Sequence, residues 1–277
     1  MKKIKILIPI YNDWQSVFKL LANINLQVAD LKDEISVLIV NDASTDQKPI
    51  YNLNLNNLKS VQVIHMKKNR GHGRCNAAGL KYINEKEIYD YVIPMDGDGE
   101  DRPEEIKLLI NKAIENPDIP ITANRVKRSE SLIFKFCYLV HKWITFIFTG
   151  KSIKFGHYTC LPKSCVKRML EERATWCSFS GSVSKIFKEK KSVPSIRGPR
   201  YFGPSKMSFI SLVKHSLSII AVYKFTVLIR SIIFLAVYIF LVSQYISVVT
   251  FIPIVLVVVL IISIFVLSER ENIAELN

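Results

Sequence analysis

Residues 231–268 contain no Asp, Glu, Lys or Arg, and this uncharged stretch limits what the chain can fold into more than any other feature. As one helix it would extend about 57 Å at 1.5 Å per residue, whereas the hydrocarbon core of a bilayer is about 30 Å thick. Two membrane crossings therefore fit better, at about 225–243 and about 247–267, with a turn at Ser243–Tyr245. A single long tilted helix is the weaker alternative.

The positive charge of the chain is concentrated just before this stretch. The net charge is +14, yet residues 124–230 contain 21 Lys and Arg against four Asp and Glu. A protein that binds nucleic acid is not expected, because a basic region next to an apolar tail indicates a lipid bilayer as the partner. The positive-inside rule then predicts a multi-pass protein of the cytoplasmic membrane, with the large domain and a tail at 268–277 in the cytoplasm. Arg230 is close enough to the start of the first span to snorkel.

Two helices with one apolar side are predicted before the spans. Residues 131–148 are strongly apolar, but Lys135, His141 and Lys142 interrupt them, so a surface helix and a core helix are both reasonable. Residues 205–224 place apolar side chains on one side and basic ones between them, which predicts an amphipathic juxtamembrane helix.

The first hundred residues alternate short apolar runs with helical patterns. The predicted elements are strands at 3–10, 35–40, 61–66 and 91–95 and helices at 14–29 and 73–84. Because each strand is apolar on both faces, they predict an α/β domain over 1–204 with a mostly parallel, Rossmann-like sheet. Ligands of such sheets bind beyond the carboxyl ends of the strands, where the polar clusters of this chain lie.

The most informative of these clusters is DGDGED at 96–101, with four carboxylates in six residues directly after a strand. Charge this dense repels itself unless a cation is present, and carboxylate oxygens suit Mg²⁺ or Mn²⁺. Such an ion keeps water or phosphate oxygens as further ligands, so a diphosphate is a natural partner. A solvated acidic turn is the alternative, since Asp-Gly pairs favour turns.

Six motifs, in their order and spacing, resemble the family-2 glycosyltransferases of GT-A fold. They are KILIPIYND (5–13), VLIVNDASTD (37–46), RGHGRCNAAGLKYI (70–83), YVIPMDGDGEDRPEEI (91–106), TANRV (122–126) and RGPRYFGPSKM (197–207). The last two, followed by two apolar spans, are similar to the polyprenyl-phosphate hexose synthases of that family. The resemblance covers residues 4 to about 267.

The resemblance implies a metal-dependent, inverting glycosyltransferase bound to a membrane and active in the synthesis of cell-envelope glycans. Its donor would be a nucleoside diphosphate sugar, and its acceptor a polyprenyl phosphate or another lipid-linked molecule. Asp96 and Asp98 match the catalytic Asp-x-Asp element. Asp98 and Glu100 would hold Mg²⁺ or Mn²⁺.

The resemblance also implies that several segments bind the nucleotide sugar. The residues concerned are Pro9, Tyr11, Asp13, Asp42, Asp96, Gly97 and Arg125. Arg200 and Lys206 would contact phosphate on the donor or acceptor, because arginine binds phosphate oxygens with two parallel hydrogen bonds. As alternatives, Tyr11 and Asp42 cap turns, and Arg200 and Lys206 are membrane-surface charges.

The chain departs from the polyprenyl-phosphate synthases at FGHYTCLPKS (155–164), where those enzymes often carry an acidic residue and Thr-Ser-Gly-Phe-Arg. His157 occupies the place of a basic residue there. If the acceptor is a sugar hydroxyl of a glycan precursor, a general base is required, and an acidic side chain or His157 is the candidate.

Four other side chains carry weaker expectations. His72 and Arg74 either reach the donor or cap a helix, while His65 and His215 are interpreted as structural. A catalytically inactive, membrane-anchored nucleotide-sugar binding protein is the alternative from another functional class. The sequence leaves open whether the chain forms a homo-oligomer.

Overall fold

In the described part of the chain, seven strands form one sheet in the order β3-β2-β1-β4-β6-β5-β7. The computed structural model describes residues 1–50, 53–127, 132–153, 155–204, 208–245 and 247–272, without the side chains of 126–127 and 132–138. The strands are β1 (Lys3–Ile10), β2 (Glu34–Asn41), β3 (Ser60–His65), β4 (Tyr91–Pro94), β5 (Ile121–Lys127), β6 (Phe155–Pro162) and β7 (Lys191–Ile196).

Helices cover both faces of the sheet and continue beyond it. They are α1 (Trp14–Gln27), α2 (His72–Lys86), α3 (Ile106–Ile114), α4 (Leu132–Thr149), α5 (Lys163–Glu171), α6 (Phe179–Ile186), α7 (Phe209–Ala221), α8 (Lys224–Val242) and α9 (Val248–Ser268). Short 3-10 turns occupy Pro103–Glu105, Arg173–Trp176 and Glu269–Glu271.

The strand directions confirm the predicted mostly parallel sheet and locate its ligand-binding edge. β1 pairs in parallel with β2 and β4, and β2 pairs in parallel with β3. β6 runs antiparallel between β4 and β5, and β7 pairs in parallel with β5. The chain moves outward on one side of β1 and then crosses to β4 on its other side, so the crevice beyond β1 and β4 is the switch point where ligands of such sheets bind.

The isoleucine-rich strand β1 is buried on both faces, which explains its continuous apolar run. Ile4, Ile6 and Ile8 pack in the core that contains α1 and α3, and Leu7 packs in the core that contains α2. All four side chains are fully buried. The last residues of β1 are therefore held rigidly at the ligand-binding edge.

Gly79 marks the close approach of α2 to the sheet. A Cβ there would overlap Leu7 Cδ1 and lie 3.0 Å from Val40 Cγ2. We expect Gly79→Val to lower the free energy of unfolding by about 1–3 kcal/mol through overpacking. Ala78→Val, at the partly buried neighbouring position, controls for a β-branched side chain in a helix. Thermal unfolding of the detergent-solubilised chain is the measurement, and equal midpoints for the two variants would contradict this packing.

The two predicted spans correspond to α8 and α9. Both helices are long and apolar enough to cross a membrane, with mean hydropathies of 2.5 and 3.2. Their apolar surfaces are largely exposed, unlike those of a core helix in a soluble protein. The hydroxyl of Tyr238 on α8 donates to the Thr250 carbonyl on α9 at 3.0 Å, which holds the two helices together near their connection.

A third apolar cluster attaches these helices to the α/β domain. Ile264 of α9 and Val227 of α8 pack in one cluster with Ala174 and Cys177 of the domain. The Cys177 thiol also lies 3.4 Å from the Leu267 carbonyl oxygen. The end of the second apolar helix is thus in direct contact with the domain.

Arg230 has a more specific role than the expected snorkelling. Its Nη1 donates to the Ile147 carbonyl at 2.8 Å and lies 3.5 Å from the Phe146 carbonyl, in the last turn of α4. A cation at this position interacts favourably with the helix dipole and satisfies terminal carbonyls. Arg230 therefore links the first apolar helix to α4, whose Trp143 is 60% exposed.

Candidate active site

The carboxylates of the acidic segment, residues 96–101, lie at the carboxyl end of β4, beside the end of β1. Asp96 follows β4 by two residues, and Asp13 follows β1 by three. Arg200 bridges the two strand ends, because its Nη2 lies 2.7 Å from Asp13 Oδ2 and its Nη1 pairs with Asp98. The predicted meeting of polar clusters from different strands at one edge is confirmed.

A basic loop, residues 197–201, covers the acidic segment. Arg197 pairs with Glu100, so each carboxylate predicted to bind metal is paired with an arginine of this loop. The backbone of the loop is held as well, since Gly198 N donates to the Glu100 carbonyl at 2.9 Å and Tyr201 N donates to the Asp98 carbonyl at 2.9 Å. Lys206, the other predicted phosphate ligand, lies outside the described residues.

Gly99 allows the two segments to approach this closely. It has φ +89°, a conformation that favours glycine, and an added Cβ would lie 2.6 Å from atoms of the Tyr201 ring. The Tyr201 hydroxyl in turn accepts a hydrogen bond from Asn23 Nδ2 at 2.8 Å, which fixes the ring against α1. The glycines of the acidic segment therefore serve packing as well as turn formation.

The crowded carboxylates have perturbed proton affinities. Burial, and next the charge of Asp96, raise the pKa of Asp98 to about 6 and that of Asp101 to about 7. Asp101 Oδ2 accepts the Asp96 backbone N–H at 2.9 Å, and Arg125 Nη2 lies 3.7 Å from Asp101 Oδ1. Arg125, predicted to bind the nucleotide sugar, thus lies next to the acidic segment. A site with this excess of negative charge favours cations.

The imidazole of His72 contacts the carboxylate of Asp96. His72 Nε2 lies 2.9 Å from Asp96 Oδ1. Burial opposes the charge on both groups, but their hydrogen bond lowers the pKa of Asp96 and raises that of His72. The pair therefore favours a charged carboxylate beside a protonated imidazole.

His157 completes a cluster with these two residues. Its ring stands nearly perpendicular to the His72 ring, with 4.2 Å between the centroids. Burial lowers the pKa of His157 well below its usual range, so its ring is neutral at neutral pH. One ligand atom from each of His72, Asp96 and His157 lies within 4.8 Å of the others, so this group could also hold a metal ion.

Two possible ligand sets therefore lie at the acidic edge, which is the edge of the sheet where segment 96–101 meets the carboxyl ends of β1 and β4. Asp98 and Glu100 offer oxygen ligands that suit Mg²⁺ or Mn²⁺, and the pairing of both with arginines shows that the edge attracts positive charge. The cluster of His72, Asp96 and His157 offers two imidazoles and one carboxylate, which suit transition metals. The donor sets of this edge fit a divalent cation.

Asp42 supports the loop that leads into α2. Its carboxylate accepts the backbone N–H groups of Arg70 at 2.7 Å and of Gly71 at 2.8 Å. Asp42 is buried, and Gly71 has φ +85° at the start of the helix. These contacts place His72 at the helix N-terminus. The predicted hydrogen bond from a nucleotide base to Asp42 stays a prediction.

The remaining predicted nucleotide ligands lie at the same edge. Pro9 is buried near the end of β1, and Tyr11 directly after that strand is 41% exposed. Gly97 packs against β1, since an added Cβ would lie 3.2 Å from Ile8 Cγ2 and Ile10 Cγ2. Tyr11 is thus the accessible member of this group.

Sequence reasoning did not identify Arg197 or His215 as functional residues. Arg197 lies within the quoted RGPRY segment, but only the structure shows its contact with Glu100. His215, interpreted as structural, places its ring 5.7 Å from the His157 ring, centroid to centroid. His215 gives no local signal, because this contact depends on how α7 packs against the domain.

The strand order and the acidic edge define a Rossmann-like α/β domain with a site suited to a phosphorylated ligand and a divalent cation. The chain belongs to glycosyl transferase family 2, whose family model matches residues 5–177. The resemblance identified from the sequence motifs is thereby confirmed.

The chain is also similar to one curated relative and to two solved structures. The chain is 26% identical over 221 residues to the undecaprenyl-phosphate 4-deoxy-4-formamido-L-arabinose transferase of Klebsiella pneumoniae (strain 342). The match covers 77% of this chain and 65% of that relative, so less than two thirds of the relative's length is represented.

The solved structures show the shared fold. Glucosyl-3-phosphoglycerate synthase from Mycobacterium tuberculosis, in complex with Mn²⁺, UDP-glucose and phosphoglyceric acid, has a TM-score of 0.56 at 14% identity, over 83% of this chain and 79% of that one. Mannosyl-3-phosphoglycerate synthase from Rubrobacter xylanophilus has a TM-score of 0.55 at 14% identity, over 80% and 72% of the two chains.

Proposed function

We propose that this chain transfers a sugar from a nucleoside diphosphate sugar to a polyprenyl phosphate at the cytoplasmic side of the cytoplasmic membrane. The observation that carries the proposal is that α2, whose first residue His72 contacts Asp96, also contacts the end of the helices able to cross a membrane. Arg74 of α2, two residues after His72, donates through Nη2 to the Arg270 carbonyl, just beyond α9, at 3.1 Å. The name of the Klebsiella relative, an undecaprenyl-phosphate transferase, supports the acceptor.

On the donor side, this chain offers both anionic and cationic groups. Asp98 and Glu100 would hold Mg²⁺ or Mn²⁺, which supplies charge neutralisation for the leaving diphosphate. Arg200 would exchange Asp98 for a phosphate oxygen when the donor binds, since its planar fork suits phosphate as well as carboxylate. Arg125, next to Asp101, is a further guanidinium at this edge.

On the acceptor side, a phosphate needs no dedicated base, because it is already anionic at neutral pH. Its oxygen would form the new bond to the anomeric carbon while the bond to the diphosphate breaks, with inversion at that carbon. Positioning of the two substrates is then the main task of the protein.

Transfer to a sugar hydroxyl is the second candidate. The neutral imidazole of His157 favours it, because a neutral imidazole can accept a proton as a general base. Its ring lies 4.2 Å from that of His72, which is paired with Asp96. A hydroxyl acceptor would use such a base to remove its proton.

The test combines purified full-length protein, Mn²⁺ and a panel of labelled nucleotide sugars, with and without undecaprenyl phosphate. We expect label in the lipid phase for one donor, released by mild acid as a sugar phosphate linkage requires. Label that reaches only water would contradict lipid transfer, and acid-stable label in a glycan precursor would favour the hydroxyl acceptor.

Membrane anchoring by α8 and α9 predicts resistance to extraction by salt. At 1 M salt the screening length is about 3 Å, so a protein held only by its basic surface is released. We expect the full-length protein to stay in the membrane fraction in 1 M NaCl and to enter solution in mild detergent, because burial of apolar helices does not depend on charge. Release by salt alone would contradict the proposed hairpin.

A further inference from the structure

Three histidine rings connect the acidic edge to the juxtamembrane helix α7. His72 contacts Asp96, the His157 ring lies 4.2 Å from the His72 ring, and the His215 ring lies 5.7 Å from the His157 ring. The three come from α2, β6 and α7, so separate parts of the chain converge here. This row of rings connects Asp96 to α7, the helix that precedes the two apolar helices.

Arg270 lies beside the outer end of this row. Its Nη1 is 3.4 Å from Ser218 Oγ on α7. Ser218 and His215 are three residues apart on the helix, so they face the same side. The guanidinium of Arg270 and the imidazole of His215 therefore lie along one side of α7.

Among the residues that the structure describes, Arg270 has no acidic partner. Within the described residues, no carboxylate lies at ion-pair distance from its guanidinium, and the adjacent Glu271 is paired with Lys224 at 2.7 Å. The backbone around Arg270 is fixed instead, because its carbonyl accepts the hydrogen bond from Arg74. A positioned guanidinium without an acidic partner is suited to an external anion.

The position of the Arg270 guanidinium indicates which anion it would bind. Arg270 directly follows the second apolar helix, and Lys224 begins the first, so both lie at the same polar end of the pair. In a bilayer this end is at the level of the lipid head groups, where the common anion is phosphate. Arg200, by contrast, is paired with Asp13 and Asp98.

We infer that His215 and Arg270 form the binding site for the phosphate of the lipid acceptor, with His157 between that phosphate and Asp96. The inference rests on the proposed function and assigns its acceptor to residues different from Arg200 and Lys206. Arg270 supplies the charge and two parallel donors, and an imidazole N–H of His215 supplies a further hydrogen bond.

The test measures binding of radiolabelled undecaprenyl phosphate to full-length protein in phosphatidylcholine nanodiscs, without sugar donor. We expect His215→Gln and Arg270→Gln each to weaken binding at least about tenfold, as for loss of a charge-assisted or positioned hydrogen bond. Lys214→Gln is the matched control, because it changes an exposed side chain on the same helix. Arg270→Lys keeps the charge and is expected to restore part of the affinity.

Nucleoside diphosphate binding is measured in every variant and is expected to be unchanged, which shows that the domain is folded. Binding of the lipid at wild-type strength by both glutamine variants would overturn the inference. If inorganic phosphate displaces the labelled lipid as well as unlabelled undecaprenyl phosphate does, the site binds free phosphate. If phosphatidylglycerol does so, the site binds bulk anionic lipid. Either result would also overturn the inference. Because no donor is present, failure of sugar transfer would overturn the proposed function while leaving this result intact.

Discussion

We expect Asp98→Asn to reduce metal-dependent sugar transfer about 10³-fold, roughly 4 kcal/mol at 1.36 kcal/mol per tenfold change. The amide keeps the shape of the carboxylate but loses the charge that would hold the cation. Its oxygen can still accept the Glu100 N–H, now 2.9 Å from Asp98 Oδ1, so the local backbone is expected to persist. The measurement is kcat/KM over a range of Mn²⁺ concentrations.

Asp118→Asn is the matched control for this variant. It makes the same chemical change at an exposed carboxylate that accepts a hydrogen bond from Ser164 at 2.9 Å, just before β5. Turnover within about twofold of wild type is expected there, as for most surface substitutions. Activity of Asp98→Asn at the level of this control would show that the cation is held elsewhere, with His72, Asp96 and His157 as the next candidates.

The central strands could be predicted from the sequence because burial on both faces leaves a continuous apolar run. β1 and β2 each bury seven of eight residues, and the predicted ranges agree with the observed ones to within one or two residues at each end. β7 could not be found in this way, because only Val193 and Ser195 are buried in KSVPSI. Its place in the sheet depends on pairing with β5, which is a tertiary contact.

The site was predictable where its residues are close in sequence and hidden where they are not. The acidic segment is visible because its carboxylates crowd together directly after a strand. The contacts of Arg200 with Asp98 and Asp13 join residues 102 and 187 positions apart, and no local pattern encodes such distances. His215 is hidden for the same reason, since its neighbour His157 lies 58 positions earlier in the chain, on β6.

The arrangement of charges gives Arg200 two roles that can be separated. Without donor it is paired with both Asp98 and Asp13, and its side chain is 17% exposed. If the same guanidinium binds the donor diphosphate during transfer, it is needed in the transition state. If it only replaces the cation at Asp98, its removal frees a metal ligand.

We therefore expect Arg200→Ala to lower kcat/KM in detergent by about 30- to 1000-fold, which corresponds to roughly 2–4 kcal/mol of lost transition-state stabilisation. The concentration of Mn²⁺ for half-maximal activity is expected to fall at the same time, because a competing cation has been removed from Asp98.

Arg102→Ala is the control, since Arg102 forms a partly exposed ion pair with Glu104 in the neighbouring turn and such pairs contribute little. A loss under about fivefold together with tighter Mn²⁺ activation would show that Arg200 only substitutes for the cation. The donor phosphate would then be bound by another arginine of this edge. Arg125, which lies next to Asp101, is the candidate, because Arg197 is paired with Glu100.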